Sequence, residues 1–232
     1  MSKRVAELRI PHFFGNGSVV KLPVRTELHL ARKAWHLVMG SFIAFTYLSG
    51  VSSVVSVAIL SSILIIDLFM ETMRLRSQGF NEKVIRIMGP VMRAHEVHQS
   101  SAVPHYLFAT IIAIAVFPKP VAVLSIMYLA FGDPAASLAG ILYGDRSIRW
   151  SNGKSLVGSI AGVITCIIVS FVFFGLNAFH ISPGHVMILS LIGGIAGGVA
   201  EHLPIDVDDN FLIPVFSGFV LWLAFILLGI AL

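Results

Sequence analysis

The chain has 232 residues, 56% of them hydrophobic and only 12% charged, with 16 Lys and Arg against 12 Asp and Glu for a net charge of +4. A mean hydropathy of +0.89 exceeds what a soluble domain needs for its core, which excludes that class and points to an integral membrane protein. At roughly 20 apolar residues per spanning helix, the length has room for about seven spans and no separate soluble domain.

In chain order, the first 33 residues are basic and polar and lack the apolar core and cleavage site of a secretory signal, so they are expected to stay on the chain as a cytoplasmic segment. Asn16-Gly17-Ser18 matches a glycosylation sequon, but the expected cytoplasmic side argues against its use. Apolar runs follow near 34–50, 51–71, 102–118, 120–143, 156–176, 184–200 and 211–232. They read as helices, because a spanning segment must satisfy its own backbone in lipid and these runs are too continuous for barrel strands. The expected fold is therefore all-α and polytopic, with a single transmembrane catalytic domain over 34–232 and loops near 72–101, 144–155 and 201–210. Within the first loop, Phe80, Val84, Ile87, Met88 and Val91 recur at helical spacing opposite Lys83 and Arg86, which suits an amphipathic helix on anionic lipid better than a nucleic-acid surface. Cys166 lies in an apolar run, where a packing role is expected, and no internal disulfide is possible.

The basic residues are distributed unevenly. Seven precede or open the first run, five lie between the second and third, three between the fourth and fifth, and only Lys119 falls on the other side. By the positive-inside rule the crowded side is cytoplasmic, so the N-terminus is expected inside and the C-terminus outside. The carboxylates share that side: Asp67 and Glu71, Asp133, and the group Glu201, Asp206, Asp208 and Asp209. Topology signals account for lysines and arginines but not for carboxylates, and an ionisable residue within a span is a functional candidate by default. Asp133, in YLAFGDPAASLAG, is the clearest; the alternative is that it caps a helix broken by Pro134.

The stretch NGKSLVGS, Asn152 to Ser159, carries the ingredients of a phosphate site: a flexible Asn-Gly turn, Lys154, the hydroxyls of Ser155 and Ser159, and a helix N-terminus with amides to offer. It is not a P-loop, because the glycine required five residues earlier is Ile148 and no strand precedes it. The alternative is a lysine that merely reaches to the interface. Gly193, Gly194, Gly197 and Gly198 in GGIAGG favour helix packing, and His95 and His98 are three apart, not four as zinc-binding HExxH requires.

GDPAASLAGILYG followed by GKSLVGSIAG resembles the signature of the CTP-dependent lipid-alcohol kinases, which include dolichol kinases, phytol kinases and CTP-dependent diacylglycerol kinases, and more distantly the CDP-diacylglycerol synthases. Arg32-Lys33-xx-His36-xxx-Gly40, Asp67 with Arg74 or Arg76 and Asn81, Met92-Arg93-xx-Glu96, and EHLPIDVDDNFLIP resemble further elements, so the likeness runs from Arg32 to Pro214. One departure is Glu71-Thr72-Met73, which lengthens the Asp-to-Arg spacing. The resemblance implies transfer of the γ-phosphoryl group of CTP to a long-chain lipid alcohol, with Mg²⁺. It makes Asp133 the principal metal ligand, with Asp208 or Asp209 as second ligand or base. Gly132, Gly153, Lys154, Ser155, Gly158 and Ser159 would hold phosphates, with Arg32, Lys33 and Arg93 next in line for the triphosphate. Glu96 would orient one of those cations, and His36, Asp67, Asn81, Glu201 and Asn210 would support the site. A CTP:phosphatidate cytidylyltransferase and a cation or metabolite transporter are the alternative functions, the latter weakened by the absence of an internal repeat.

Overall fold

The computed structural model describes residues 6–9, 19–22, 30–150, 153–176, 181–203 and 207–231. The sequon and Pro204 lie outside them, as do Asn152 and the side chain of Glu201.

The all-helical expectation needs one amendment. Strands β1 (Ala6–Arg9) and β2 (Val19–Leu22) pair antiparallel in the N-terminal segment, with Ala6 opposite Leu22 and Arg9 opposite Val19. Four-residue strands leave too short a pattern for periodicity to reveal.

The seven apolar runs are all helical. They form α1 (Leu30–Leu48), α2 (Ser53–Arg76), α4 (Val103–Val116), the continuous rod of α5 (Lys119–Met127) and α6 (Asp133–Tyr143), α7 (Leu156–Leu176), α8 (Pro183–Val199) and α9 (Asp209–Leu227); the short α3 (Gln78–Met88) lies in the first long loop. Four of these stretches are long and apolar enough to cross a membrane: Ser53–Arg76, Lys119–Arg146, Leu156–Leu176 and Asp209–Leu227. Val103–Val116 and Pro183–Val199 are apolar but shorter. Large apolar side chains such as Phe42, Ile65, Phe69, Ile168 and Phe219 face outward, the pattern of a membrane protein whose surroundings are hydrocarbon.

The α5–α6 rod is the axis of the bundle. Val121 to Met127 are all buried, enclosed by α1, α4 and α9, with α7 and α8 closing around Tyr128 to Gly132. Pro134 cannot donate to the carbonyl four residues earlier, and a π-helical turn at Tyr128–Gly132 carries the helix past it. Gly132 and Asp133 are both in helical conformation, so the helix is not broken there and Asp133 does not act as its cap. The Tyr128 hydroxyl is hydrogen-bonded to Ser170 Oγ at 2.6 Å, tying the axis to α7. The GGIAGG glycines pack as expected: a Cβ on Gly194 would sit 2.6 Å from the Ile167 nitrogen, and one on Gly198 2.7 Å from that of Val163.

At one end of the bundle the N-termini of α1, α4, α7 and α9 meet the C-termini of α2, α6 and α8. Arg74, 2% exposed, latches α2 to the segment before α4. It grips Glu71 with two bonds of 2.8 and 2.6 Å and donates to the carbonyls of Glu96 (2.8 Å) and Gln99 (2.7 Å). Glu71 also accepts from the Ser101 amide at 2.9 Å, and Asn81 joins through Arg74 and the Val97 carbonyl. The extra residues between Asp67 and Arg74 therefore supply Arg74 with its own partner. Replacing Arg74 by Met is expected to leave a buried, uncompensated Glu71 and to cost about 3–5 kcal/mol, seen as a fall in the unfolding midpoint in detergent. An unchanged midpoint would show that the latch contributes nothing.

Helix α3 forms where its periodicity predicts, with its apolar face rotated. Ile85, 3% exposed, packs with Met92 and Val97, with Val84 and Met88 beside it, whereas Ile87 is 76% exposed. The face is set by the loop beneath it, a contact that periodicity alone does not contain.

Candidate active site

A polar cavity of about 360 Å³ opens at this same end, between α1, α6, the 149–155 turn, α7 and α9. Five cations line it (Arg32, Lys33, Arg93, Arg149 and Lys154), together with three carboxylates (Asp133, Asp145 and Asp209) and His36. Ser137, Gly140, Gly153, Ser155, Gly158 and Ser159 complete the wall. Residues 32 to 209 thus converge on one volume.

Helix α1 projects Arg32 and His36 inward one turn apart. Arg32 Nη1 is held by both carboxylate oxygens of Glu96, at 2.9 and 3.1 Å, and donates to the Val91 carbonyl at 3.2 Å. Glu96 is 2% exposed and also accepts from the Arg93 amide at 2.8 Å, so it fixes Arg32 and the backbone of Arg93 together. Committed in this way, Glu96 is not a zinc-site residue, and its neighbours His95 and His98 are exposed. Lys33 stands just ahead of the apolar run. Burial lowers its pKa, Asp133 opposes that shift, and Arg93 and Arg32 add to it. Such a cluster of partly buried cations is stabilised by a bound polyanion.

The Lys154 corner is built differently from the sequence expectation. The Trp150 amide donates to the Lys154 carbonyl at 2.8 Å, and Gly153 takes φ +78°, a conformation that favours glycine. The leading amides of α7 are already satisfied: Leu156 by the Ile148 carbonyl (2.8 Å), Val157 by Ser147 Oγ (3.1 Å) and Gly158 by Ser155 Oγ (3.1 Å). Ser155 is therefore an N-cap, and the helix does not offer a cradle of amides. Gly158 packs so closely on α6 that a Cβ would lie 2.6 Å from the Ala136 carbonyl oxygen. What this corner presents to an anion is side-chain charge. Lys154 Nζ lies 2.8 Å from Asp209 Oδ2, joining α7 to α9. Arg149, which the sequence reading missed, binds Asp145 at 3.0 Å and the Gly153 carbonyl at 3.2 Å. Its only sequence signal was membership of the basic turn before Lys154.

Ser159 Oγ donates to the Ser155 carbonyl at 3.0 Å and is hydrogen-bonded to His202 Nε2 at 2.5 Å. Burial, and then the nearby Lys154, hold the His202 pKa below its usual value, with Asp209 opposing. The unfolded chain therefore binds a proton at His202 that the folded chain resists, so acidification below about pH 6.5 works against the fold. The unfolding midpoint is expected to fall over that range, and less steeply in His202→Gln; parallel curves for the two proteins would refute the assignment.

Other expected residues lie apart from the cavity wall. Asp208 caps α9, accepting from the Asn210 amide (2.8 Å) and side chain (2.5 Å), which accounts for buried Asn210 as well. Gly132 faces Cys166, whose sulfur would be 2.5 Å from a Cβ there. Asn81 belongs to the Arg74 latch, and Asp67 lines a second cavity. Among the described residues no three His, Cys, Asp or Glu side chains form a group able to hold a metal by themselves. Asp133 and Asp209 nevertheless line one cavity with the cations. That donor set fits Mg²⁺, which keeps waters and takes one or two carboxylates when it arrives with a polyphosphate.

No family model and no solved structure matches the chain. Curated proteins do. A CTP-dependent diacylglycerol kinase of Eremothecium gossypii is 34% identical over 87% of this chain and 73% of its own length. One of Saccharomyces cerevisiae is 30% identical over 83% of this chain and 72% of its own. A farnesol kinase of Arabidopsis thaliana is 30% identical over 46% of this chain and 36% of its own. At these identities and over these shares of both chains, the chain belongs to the CTP-dependent diacylglycerol kinase family of lipid kinases.

Proposed function

We propose that this chain transfers the γ-phosphoryl group of CTP to the free hydroxyl of diacylglycerol at the polar cavity. The observation that carries the reading is the gathering of five cations and three carboxylates from sequence-distant helix ends around one 360 Å³ space. The relatives that match more than four fifths of this chain are named for diacylglycerol, while the farnesol kinase matches less than half of it. Phosphoryl transfer requires little covalent work from the protein and depends on positioning and charge neutralisation. Arg32, held rigidly by Glu96, with Lys33 and Arg93, would bind the triphosphate from one side, and Lys154 and Arg149 from the other. Asp133, with Asp209 as second carboxylate, would hold Mg²⁺. When bound there, Mg²⁺ would supply charge neutralisation of the triphosphate during transfer. Asp209 also orients Lys154 through their 2.8 Å ion pair.

The seven helical rods are read as seven spans, the shorter ones within a locally thin or crowded region of the bundle, with residues 1–33 cytoplasmic and 34–232 as the catalytic domain. The lysine and arginine asymmetry supports that orientation, and the cavity lies at the end of the bundle where those charges concentrate. CTP would then enter from the cytoplasm while the lipid stays in the leaflet.

The test is purified protein with CTP labelled in its γ-phosphate and short-chain diacylglycerol in mixed micelles, alongside ATP, GTP and UTP. Label is expected in phosphatidate, with CDP as the other product. Pyrophosphate and a CDP-lipid, or transmembrane flux without nucleotide turnover, would overturn the proposal.

A further inference from the structure

A second cavity, of about 300 Å³, adjoins the first on the side of α1, α2, α3 and α4. Its wall is largely apolar: Met39 and Ile43 of α1, Ile63 of α2 and Leu107 of α4 line it, with Val84 and Met88 of α3. Glu71, Arg74, Glu96 and Ser101 line it too, with hydrogen bonds of their own, and four further side-chain atoms break the pattern without one. Arg32 Nη2, His36 Nδ1, Asp67 Oδ2 and Tyr106 Oη are buried without a hydrogen-bond partner among the described residues, and all four residues line this cavity. Arg32, His36 and Tyr106 are each less than 10% exposed. The His36 and Tyr106 rings meet edge to face at 5.7 Å. Arg32 and His36 line the polar cavity too, so they form a shared wall between the two spaces.

Unpaired buried polar groups are costly, and their clustering on a single apolar cavity calls for a ligand with a polar end and an apolar body. Resting on the kinase reading above, we infer that this cavity is the acceptor-lipid site and that it is shaped for the diester head of diacylglycerol. The donors match that chemistry. Arg32 Nη2 and Tyr106 Oη need oxygen acceptors, and diacylglycerol brings two ester carbonyls besides its hydroxyl. A prenyl alcohol brings one oxygen and would leave a buried donor unpaired. The reactive hydroxyl belongs at the Arg32 and His36 wall, the place where the lipid space meets the nucleotide space. Tyr106, one helix further from the nucleotide, reads an ester carbonyl and is a specificity-determining residue.

The experiment is photolabelling of the wild-type protein in micelles with a diacylglycerol carrying a diazirine near the glycerol, together with kinetics of two variants. Label is expected within 35–43, 63–70 and 103–107, displaced by dioctanoylglycerol but not by its 3-O-acetyl derivative, which has no free hydroxyl. Tyr106→Phe is expected to lower kcat/KM for the diester about tenfold while sparing the corresponding dialkyl ether, and to leave the KM for CTP unchanged. Met39→Trp, which fills the cavity, should abolish labelling with CTP binding retained. Label elsewhere, or equal displacement by the acetylated lipid, would reduce the space to a general acyl-chain pocket and overturn the inference. Equal loss for diester and diether in Tyr106→Phe would remove the specificity role. Labelling at this site without CTP-dependent phosphorylation of any lipid would defeat the kinase reading and leave the lipid site standing.

Discussion

Asp133→Asn is expected to abolish phosphoryl transfer, by about a thousandfold or more, while the protein remains folded in detergent. The substitution keeps the shape of the side chain and removes its charge. Asp133 stands at the first position of α6, on a helix that a π-turn carries intact through Pro134, so its backbone does not depend on the carboxylate. Its charge acts on its surroundings: it opposes the lowering of the Lys33 pKa. It lies on the cavity wall with Asp209, opposite cations that would otherwise leave the metal's side of the triphosphate unserved. Loss of one carboxylate of two removes much of what could hold Mg²⁺ at this surface. The measurement is γ-phosphoryl transfer at saturating CTP and diacylglycerol, with the unfolding midpoint as control. Wild-type turnover by a folded Asp133→Asn protein would remove the centre of the proposed mechanism.

Lys154→Ala is expected to raise the KM for CTP about 10- to 100-fold, the loss of one charge-assisted hydrogen bond to a phosphate, with a smaller change in kcat. The geometry makes this the decisive test of the corner. With the leading amides of α7 satisfied by Ile148, Ser147 and Ser155, the anion has side chains alone to meet here. The Lys154 ion pair with Asp209 is partly solvent-accessible, at 17% and 36% side-chain exposure, so its removal perturbs the fold little. A charge-preserving Lys154→Arg should recover part of the CTP affinity. An unchanged KM for CTP in Lys154→Ala would reduce the pair to a strap between α7 and α9.

Hydropathy and charge placement made much of this protein legible in advance. The seven apolar runs are all helical, as expected of segments apolar enough that their backbone must bond to itself, a property written locally in each run. The alternation of helix ends brought Arg32, Lys154 and Asp209 to one end, since each lies at the end of its run, whereas Asp133 reaches the same cavity from within its rod. Glu96 was expected to orient a cation because Met92-Arg93-xx-Glu96 resembles an element of the lipid-alcohol kinases, and it holds Arg32.

Other features depended on how the rods pack. Glu71 looked like a disturbance in the spacing before Arg74 and proved to be its partner, which is clear only once Arg74 is seen to be buried between α2 and the chain ahead of α4. Ser155, expected to hold phosphate, lines the cavity and also caps α7, whose leading amides are satisfied by the Ile148 carbonyl, Ser147 Oγ and Ser155 Oγ. Asp208 and Asp209 are neighbours with similar local signals; helix α9 uses the first as its cap and turns the second toward Lys154. The second cavity was not visible as a cavity in the sequence, which marked His36 and Asp67 only as supporting residues and missed Tyr106; these three sit on three helices, and only their packing brings them to one space. By itself the sequence determined the solvent of each segment and the end of the bundle where charge collects, because those follow from the cost of moving single groups out of water. Tertiary structure decided which of those charges are held by partners and which face a cavity, because pairing and enclosure depend on distances between helices far apart in the chain.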